Sequence, residues 1–440
     1  MTAPPSTPEE IRIPAGRRVH GRLRVPSSKS LTNRYLNLAL LGRAPLVMEH
    51  PLLSEDTRLF LQALERCGFR VEEEGGSVRL EPGPPPSAEV EIFCGASGTM
   101  LRFLVASLAA LPGRWRLDGV PRLRERPVHP LVDALRRLGA RIDYLAAEGY
   151  VPLRLEGGTL GAGSTVLDAG ASSQYLSALL MAALRAPGEV IVEVEALTSE
   201  PYVDITLGVV EAFGGRIEAA GPRTWRVWPS PLAAGRVEVE GDWSAAAYPA
   251  AAAALTGGEV TLAGLLPDSR QGDRGFAALL QEMGAEVVWD GREMTVRGHA
   301  LRGVDADLSA MPDQVPTLAA LAPFACGATR IWNVAHLRIK ESDRLDAMAT
   351  ELRKLGARVD EGPDWLRISG DWAGDWAERL PANPQDTAEV RIDPRGDHRI
   401  AMSCALVGLR RPGVVITNPG VVAKSYPEFW QDFAMLTSRR

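Results

Sequence analysis

Apolar residues recur along the chain at helical spacing, then give way to short β-branched runs, with a glycine at each change. LFLQALERCGFRV (59–71), PLVDALRRLGARI (130–142), DITLGVVEAFGGRI (204–217), FAALLQEMGAEV (276–287) and DAMATELRKLGARV (346–359) all read this way. Leu or Met on one helical face predicts a helix, the Gly closes it, and the run that follows predicts a strand. Successive glycines of the series lie about 70 residues apart, the mark of an internal repeat.

A second series interleaves with the first, in which small or polar residues open an apolar helix. Its members are SSKSLTNRYLNLALL (27–41), GASGTMLRFLVASLA (95–109), GASSQYLSALLMAAL (170–184), GDWSAAAYPAAAAAL (241–255), MPDQVPTLAALAPFA (311–325) and GDHRIAMSCALVGL (396–409). These make six units, although the sixth slot of the first series, EFWQDFAML (428–436), is cut short by the chain end. Six units predict three per domain, each supplying strands and two helices. The helices starting near 95, 170, 245 and 312 are apolar nearly all round and are expected to be buried. Their Ser-, Gly-, Asp- and Lys-rich starts are candidate anion sites, because free N–H groups and the helix dipole favour negative charge there. The same residues also cap ordinary helices.

A chain of 440 residues exceeds one ordinary core, so two domains are expected. Hydrophobic content of 45% and charged content of 24% are those of a globular protein. The net charge of −6 argues against nucleic acid or an anionic membrane surface as partner. The longest apolar stretch, Ala245 to Leu255, contains Pro249 and falls far short of the roughly 20 residues a bilayer span needs. The opening MTAPPSTPEE lacks the basic start and apolar core of a signal peptide, which points to a cytoplasmic protein. Cys67, Cys94, Cys326 and Cys404 lie far apart with no CxxC pair, so reduced, half-buried thiols are expected rather than disulfides or a zinc site. Of 49 basic residues only Lys29, Lys340, Lys354 and Lys424 are lysine. Where arginine is the default cation, a retained lysine is a candidate for work that needs a compact or deprotonatable ammonium.

The segment from Pro26 to Arg34 is not a Walker A loop, since Leu23 and Ser28 stand where glycine is required. Lys29, Ser30 and Arg34 can still cluster on a first helical turn. Further cations mark other unit starts: Arg124, Arg126, Arg338, Lys340, Arg344, Arg399 and Lys424. Asp313, Glu341, Asp343 and Asp397 accompany them. A run such as RIKESDR is ordinarily a solvated helix face, but here it is one of several such clusters.

Ten segments, in order, carry a family resemblance: SSKSLTNR, GASGTMLR, PRLRERPVHPLVDALRRLGA, ASSQYLSALLMA, SEPYVDIT, VEGDWSAAAYP, MPDQVPT, LRIKESDRLDAMATELRKLGA, GDHRIAMS and NPGVVAKSYPEF. Over essentially its whole length the chain resembles the 5-enolpyruvylshikimate-3-phosphate (EPSP) synthases. The related UDP-N-acetylglucosamine enolpyruvyl transferases usually carry a catalytic cysteine in a loop whose equivalent here, Gly119 to Pro130, has none. A non-catalytic phosphosugar-binding protein on the same fold would be expected to have lost a catalytic lysine or carboxylate. The resemblance implies an α/β protein of two inside-out α/β barrel domains. Each would be a pseudo-threefold repeat of βαβαββ units with buried helices and outer sheets. It places one domain at 26–242, the other at 1–25 plus 243–440, and the active site in the cleft between them.

It also implies transfer of the enolpyruvyl group of phosphoenolpyruvate to the 5-hydroxyl of shikimate 3-phosphate, in a monomer that is a target for glyphosate. Residue by residue, the shikimate 3-phosphate site would comprise Lys29, Ser30, Arg34, Ser172, Ser173, Gln174, Ser199, Tyr202, Asp313, His336 and Lys340. The phosphoenolpyruvate site would comprise Lys29, Gly98, Arg126, Gln174, Arg344, Arg399 and Lys424. Asp313 is the candidate base for the hydroxyl and Glu341 the candidate acid/base at C3, with Lys29 and Lys424 stabilising charge or relaying a proton. No metal or cofactor is implied, because phosphate leaves by C–O cleavage. Two positions depart from the family pattern: Ala96 where Asn is common, which removes a polar side chain beside the phosphoenolpyruvate site, and His336 where some members carry Asn.

Overall fold

The computed structural model describes residues 8–372 and 388–438; the leading residues 1–7, within the segment read above for a targeting signal, lie outside them. The chain divides into two compact units, a first of Met1–Pro26 with Gly241–Arg440 and a second of Ser27–Glu240. Each has its own hydrophobic core.

Among the described residues the interleaved pattern becomes mixed α/β structure built on six small sheets. In the second unit, Val90–Phe93 pairs parallel with Gly113–Asp118, which pairs antiparallel with Leu153–Gly157, which in turn pairs antiparallel with Arg141–Tyr144. The same parallel, antiparallel, antiparallel order recurs in four other sheets. The sixth sheet combines strands far apart in the chain. Glu10–Arg12 pairs antiparallel with Val414–Thr417, giving a three-stranded sheet with Val390–Ile392.

The glycines that close the first helical series all adopt the left-handed conformation: Gly68, Gly139, Gly214, Gly284 and Gly356 have φ between 77° and 109°. A side chain at φ near +90° is disfavoured, which is why glycine stands at each turn from helix to strand. Helices of the second series are buried on almost every face; in Trp243–Thr256 only Ser244 escapes full burial. The stretch 311–325 is not one helix. It runs as a 3-10 turn Pro312–Gln314, a short α-helix Val315–Leu321 and a second 3-10 turn Ala322–Phe324, because Pro316 and Pro323 favour helix starts over helix interiors. No helix among the described residues is long and apolar enough to cross a membrane.

The cysteines are free, but not uniformly half-buried as expected: Cys67, Cys94 and Cys404 are fully buried and Cys326 is exposed. Burial pushes the Cys67 thiol up to about 12 and raises Cys94 and Cys404 as well, so these three are packing groups without thiolate reactivity.

Candidate active site

In the second unit the predicted residues gather at helix starts. Ser28 caps the helix Lys29–Gly42, its Oγ accepting from Leu31 N at 3.4 Å. Lys29 opens that helix, with Nζ 3.4 Å from Asp56 Oδ2. One turn on, Arg34 is only 1% exposed. Its Nη1 donates to Ser30 O (2.9 Å), Nη2 to Tyr202 O (2.9 Å) and Nε to Thr206 Oγ1 (2.8 Å). These acceptors are neutral, and burial lowers the guanidinium pKa to about 10. A buried cation held by neutral oxygens is suited to receive an anion. Ser199 is buried at φ 53°, an uncommon conformation for serine, just before the helix Pro201–Ala212 that carries Tyr202.

The helix Gly98–Ala110 starts against Arg126. A Cβ built on Gly98 would lie 2.7 Å from Arg126 Cζ and 2.8 Å from Nη1, so only glycine lets the guanidinium lie over this helix end. The loop carrying Arg126 is pinned by Tyr175, whose hydroxyl donates to Pro127 O at 2.6 Å. Beside it, Gln174 Nε2 donates to Thr99 Oγ1 (2.9 Å), and Gln174 Oε1 accepts from Arg102 Nη1 (2.5 Å). Arg102 Nη1 also lies 3.4 Å from Ser172 Oγ, and its guanidinium sits 4.8 Å over the Tyr175 ring. Arg102 therefore ties Ser172 and Gln174 together. It was not among the site residues read from sequence, although a charged residue inside the apolar run GTMLRFLVASLAA is the anomaly that marks it. Gly98→Ala is expected to displace the Arg126 guanidinium and raise the phosphoenolpyruvate KM about 10-fold, the loss of roughly one charge-assisted hydrogen bond. Shikimate 3-phosphate affinity, measured by fluorescence titration, should stay within twofold.

In the first unit the candidates converge on one carboxylate. Asp313 Oδ1 accepts from Arg344 Nη1 at 2.8 Å and Asp313 Oδ2 from Arg399 Nη2 at 2.6 Å. Arg344, 2% exposed along its side chain, also donates through Nη2 to Glu341 Oε2 (3.0 Å) and through Nε to Asp397 Oδ2 (2.8 Å). Lys424 Nζ lies 3.7 Å from Glu341 Oε1. Asp397 caps the helix His398–Arg410 by accepting from Arg399 N at 2.9 Å, and it also receives Ser342 Oγ at 3.1 Å. Tyr248 OH is 3.4 Å from Arg399 Nη1. In the sequence Asp397 is one of the carboxylates accompanying the candidate cations, with no place in the implied site, and Tyr248 is not among the candidates.

Burial alone would raise the Asp313 pKa, but Arg399, Arg344 and Lys340 outweigh it and hold the carboxyl well below the usual range. Burial likewise disfavours the Arg344 cation, and here Asp397, Glu341 and Asp313 win, raising its pKa. His336 is buried, and that burial, with the Lys340 charge, lowers its pKa to about 3. At neutral pH it is therefore a neutral imidazole beside an already cationic cluster. Two of the cations that mark unit starts in the sequence, neither of them in the implied site, do structural work. Arg124 pairs with Asp118 (2.6 Å), and Arg338 pairs with Asp343 (2.8 Å) and Glu361 (3.4 Å). Among the described residues no group of three or more His, Cys, Asp and Glu is placed to hold a metal ion.

The family model described as EPSP synthase (3-phosphoshikimate 1-carboxyvinyltransferase) matches residues 13–433. A 3-phosphoshikimate 1-carboxyvinyltransferase of Syntrophobacter fumaroxidans is 46% identical over 428 residues, covering 96% of this chain and 98% of the relative. One from Pseudoalteromonas translucida is 40% identical over 436 residues, covering 98% of this chain and all of the relative (100%). Among solved structures, an EPSP synthase from Acinetobacter baumannii is similar with TM-score 0.78 and 27% identity, over 98% of both chains. The enolpyruvyl transferase NikO from Streptomyces tendae is similar in fold, with TM-score 0.77 and 22% identity over 98% of this chain and 97% of its own.

Proposed function

This chain belongs to the EPSP synthase (3-phosphoshikimate 1-carboxyvinyltransferase) family, and from that premise we propose how its residues carry the reaction. The activity belongs to the shikimate pathway of aromatic amino-acid biosynthesis, and its substrates are shikimate 3-phosphate and phosphoenolpyruvate. The observation that carries the residue assignment is the pair of guanidiniums on a single carboxylate, Arg344 and Arg399 at 2.8 and 2.6 Å from Asp313. Two forks fixed by one anion are preorganised for the carboxylate and phosphate of phosphoenolpyruvate. Asp313 then faces the sugar-like hydroxyls and takes the proton of the 5-hydroxyl as it attacks C2. Glu341, between Arg344 and Lys424, gives C3 its proton and recovers it when phosphate leaves the tetrahedral intermediate. Lys424 holds its charge beside Glu341, and Lys29 stabilises charge on the departing phosphate, which carries away the proton that Asp313 took from the 5-hydroxyl.

In the second unit, Ser30, Arg34, Ser172, Ser173, Gln174, Ser199 and Tyr202 hold shikimate 3-phosphate, while Gly98 and Arg126 complete the phosphoenolpyruvate site. His336 and Lys340 of the first unit contribute to the shikimate 3-phosphate side. Both units thus supply ligands to the same two substrates, and binding of shikimate 3-phosphate should draw them together. The repeated strand order and the buried helices between sheets support reading each unit as an inside-out barrel of three βαβαββ repeats. We infer further that the protein acts as a cytoplasmic monomer. Ala96 leaves the glycine loop without the polar side chain common in the family, which should weaken phosphoenolpyruvate and glyphosate in parallel.

The test is phosphate release by the purified protein given both substrates, with and without a chelator. Turnover should be indifferent to chelator and fall about 10²-fold in Lys29→Ala, the scale of one lost transition-state donor. Absence of turnover with shikimate 3-phosphate still bound would instead favour a binding protein on this fold.

A further inference from the structure

Among the buried carboxylates that the mechanism above leaves unused, Asp273 is tied to the turn that carries Asp313. Asp273 lies on the 3-10 turn Gly272–Arg274 and is only 3% exposed. Its Oδ1 accepts from Gln314 Nε2 at 3.1 Å and its Oδ2 from Ser244 Oγ at 2.7 Å. Gln314 is fully buried and directly follows Asp313 on the 3-10 turn Pro312–Gln314. Ser244 belongs to the first turn of the helix Trp243–Thr256, whose cap is Asp242. Asp273 therefore ties the turn that carries Asp313 to a rigid buried helix.

We propose that Asp273 is a positioning residue for the reaction's base, holding the Asp313 turn through Gln314 and supplying a negative charge that keeps Asp313 basic. The inference rests on the reading of Asp313 as that base. Its physical need is plain. A carboxylate clasped by Arg344 and Arg399 is stabilised as an anion and is for that reason a weak proton acceptor. A second negative charge in the same dry surroundings opposes the guanidiniums and restores basicity.

The charged groups acting on Asp273 come from each packed element: Asp313 from its turn, Arg399 from the helix His398–Arg410, and Asp242 from the helix cap. Burial and the Asp313 charge raise its pKa to about 6, against the opposing pull of Arg399 and Ser244. Asp273 thus takes up a proton within the working range, while Asp313 remains ionised. Gln314 can serve both states. Its Oε1 is buried without a hydrogen-bond partner among the described residues, so a turned amide offers that oxygen to the O–H of a protonated Asp273.

The test is kcat and both KM values from pH 4.5 to 8 for wild type, Asp273→Asn, Gln314→Ala and Asp313→Asn. Asparagine keeps the shape of Asp273 and an oxygen to accept from Gln314 Nε2, its NH2 can donate to Ser244 Oγ where the carboxylate accepted, and the charge is removed. Asp273→Asn should lower kcat about 10-fold at neutral pH, the equivalent of one pKa unit at the base, with KM values within twofold. Its acidic limb should vanish or move down by about one pH unit, since the group that titrates there is gone. Gln314→Ala should lower kcat while keeping the limb. An Asp273→Asn profile that matches wild type, or a loss confined to thermal stability with an unmoved limb, would overturn the proposal and leave the base assignment standing. Full turnover by Asp313→Asn would remove the base assignment and the proposal together.

Discussion

Arg344→Met should lower the stability of the first unit by about 3–5 kcal/mol, because it strands buried carboxylates that now share one guanidinium. Arg344 meets Asp313, Glu341 and Asp397 at 2.8, 3.0 and 2.8 Å, and Asp397 is wholly buried. Methionine fills much of the volume and makes none of these bonds, so the loss is one of charge compensation rather than packing. For a unit of this size the melting temperature should fall by roughly 10 °C, read by calorimetry, and phosphoenolpyruvate binding should disappear with it. The effect has a pH signature. The Asp313 pKa is depressed in the folded state, so its contribution is fully present above the unfolded value of about 3.9 and is lost only as pH falls toward the depressed one. The gap in melting temperature between wild type and variant should therefore hold from pH 8 to 5 and narrow below pH 4. A gap that stays constant into acid would mean that Arg344 matters for packing alone.

Asp313→Asn should reduce kcat about 10³-fold, within the span that a positioned general base contributes. Asparagine can occupy the same place between Arg344 and Arg399, but it can neither accept the hydroxyl proton nor neutralise those cations. Shikimate 3-phosphate affinity should change by less than about 10-fold, since one hydrogen bond to a hydroxyl is at stake. Single-turnover measurement with saturating substrates isolates the chemical step from product release. A kcat loss below 10-fold would move the base role elsewhere in the cluster.

The sequence alone carried the local architecture a long way. The five glycine-closed helix-to-strand turns were legible because a left-handed residue after a helix is nearly always glycine, and Gly68, Gly139, Gly214, Gly284 and Gly356 all take that conformation. The buried helices were legible from their all-round apolar character. Arg34 over Ser30 followed from helical spacing and appears as the 2.9 Å bond from Nη1 to Ser30 O. Local physics failed where proline decided: 311–325 has the composition of a helix, yet Pro316 and Pro323 divide it.

Tertiary structure decided what no spacing encodes. That Glu10–Arg12 completes the sheet of Val390–Ile392 and Val414–Thr417 joins chain ends about 400 residues apart. From sequence Asp273 is an ordinary charge, Arg102 only an anomaly in an apolar run and Asp397 only one accompanying carboxylate, because a charge acquires meaning from what it faces and how far it is from water. By charge and setting Arg124 and Arg338 resemble Arg126 and Arg344; the family resemblance alone set the second pair apart, and folding gives the first pair to Asp118, Asp343 and Glu361. Composition and periodicity determined which residues would be buried, since that is a property of each segment with its own neighbours. Which buried charges would meet was set by the packing of segments far apart in the chain.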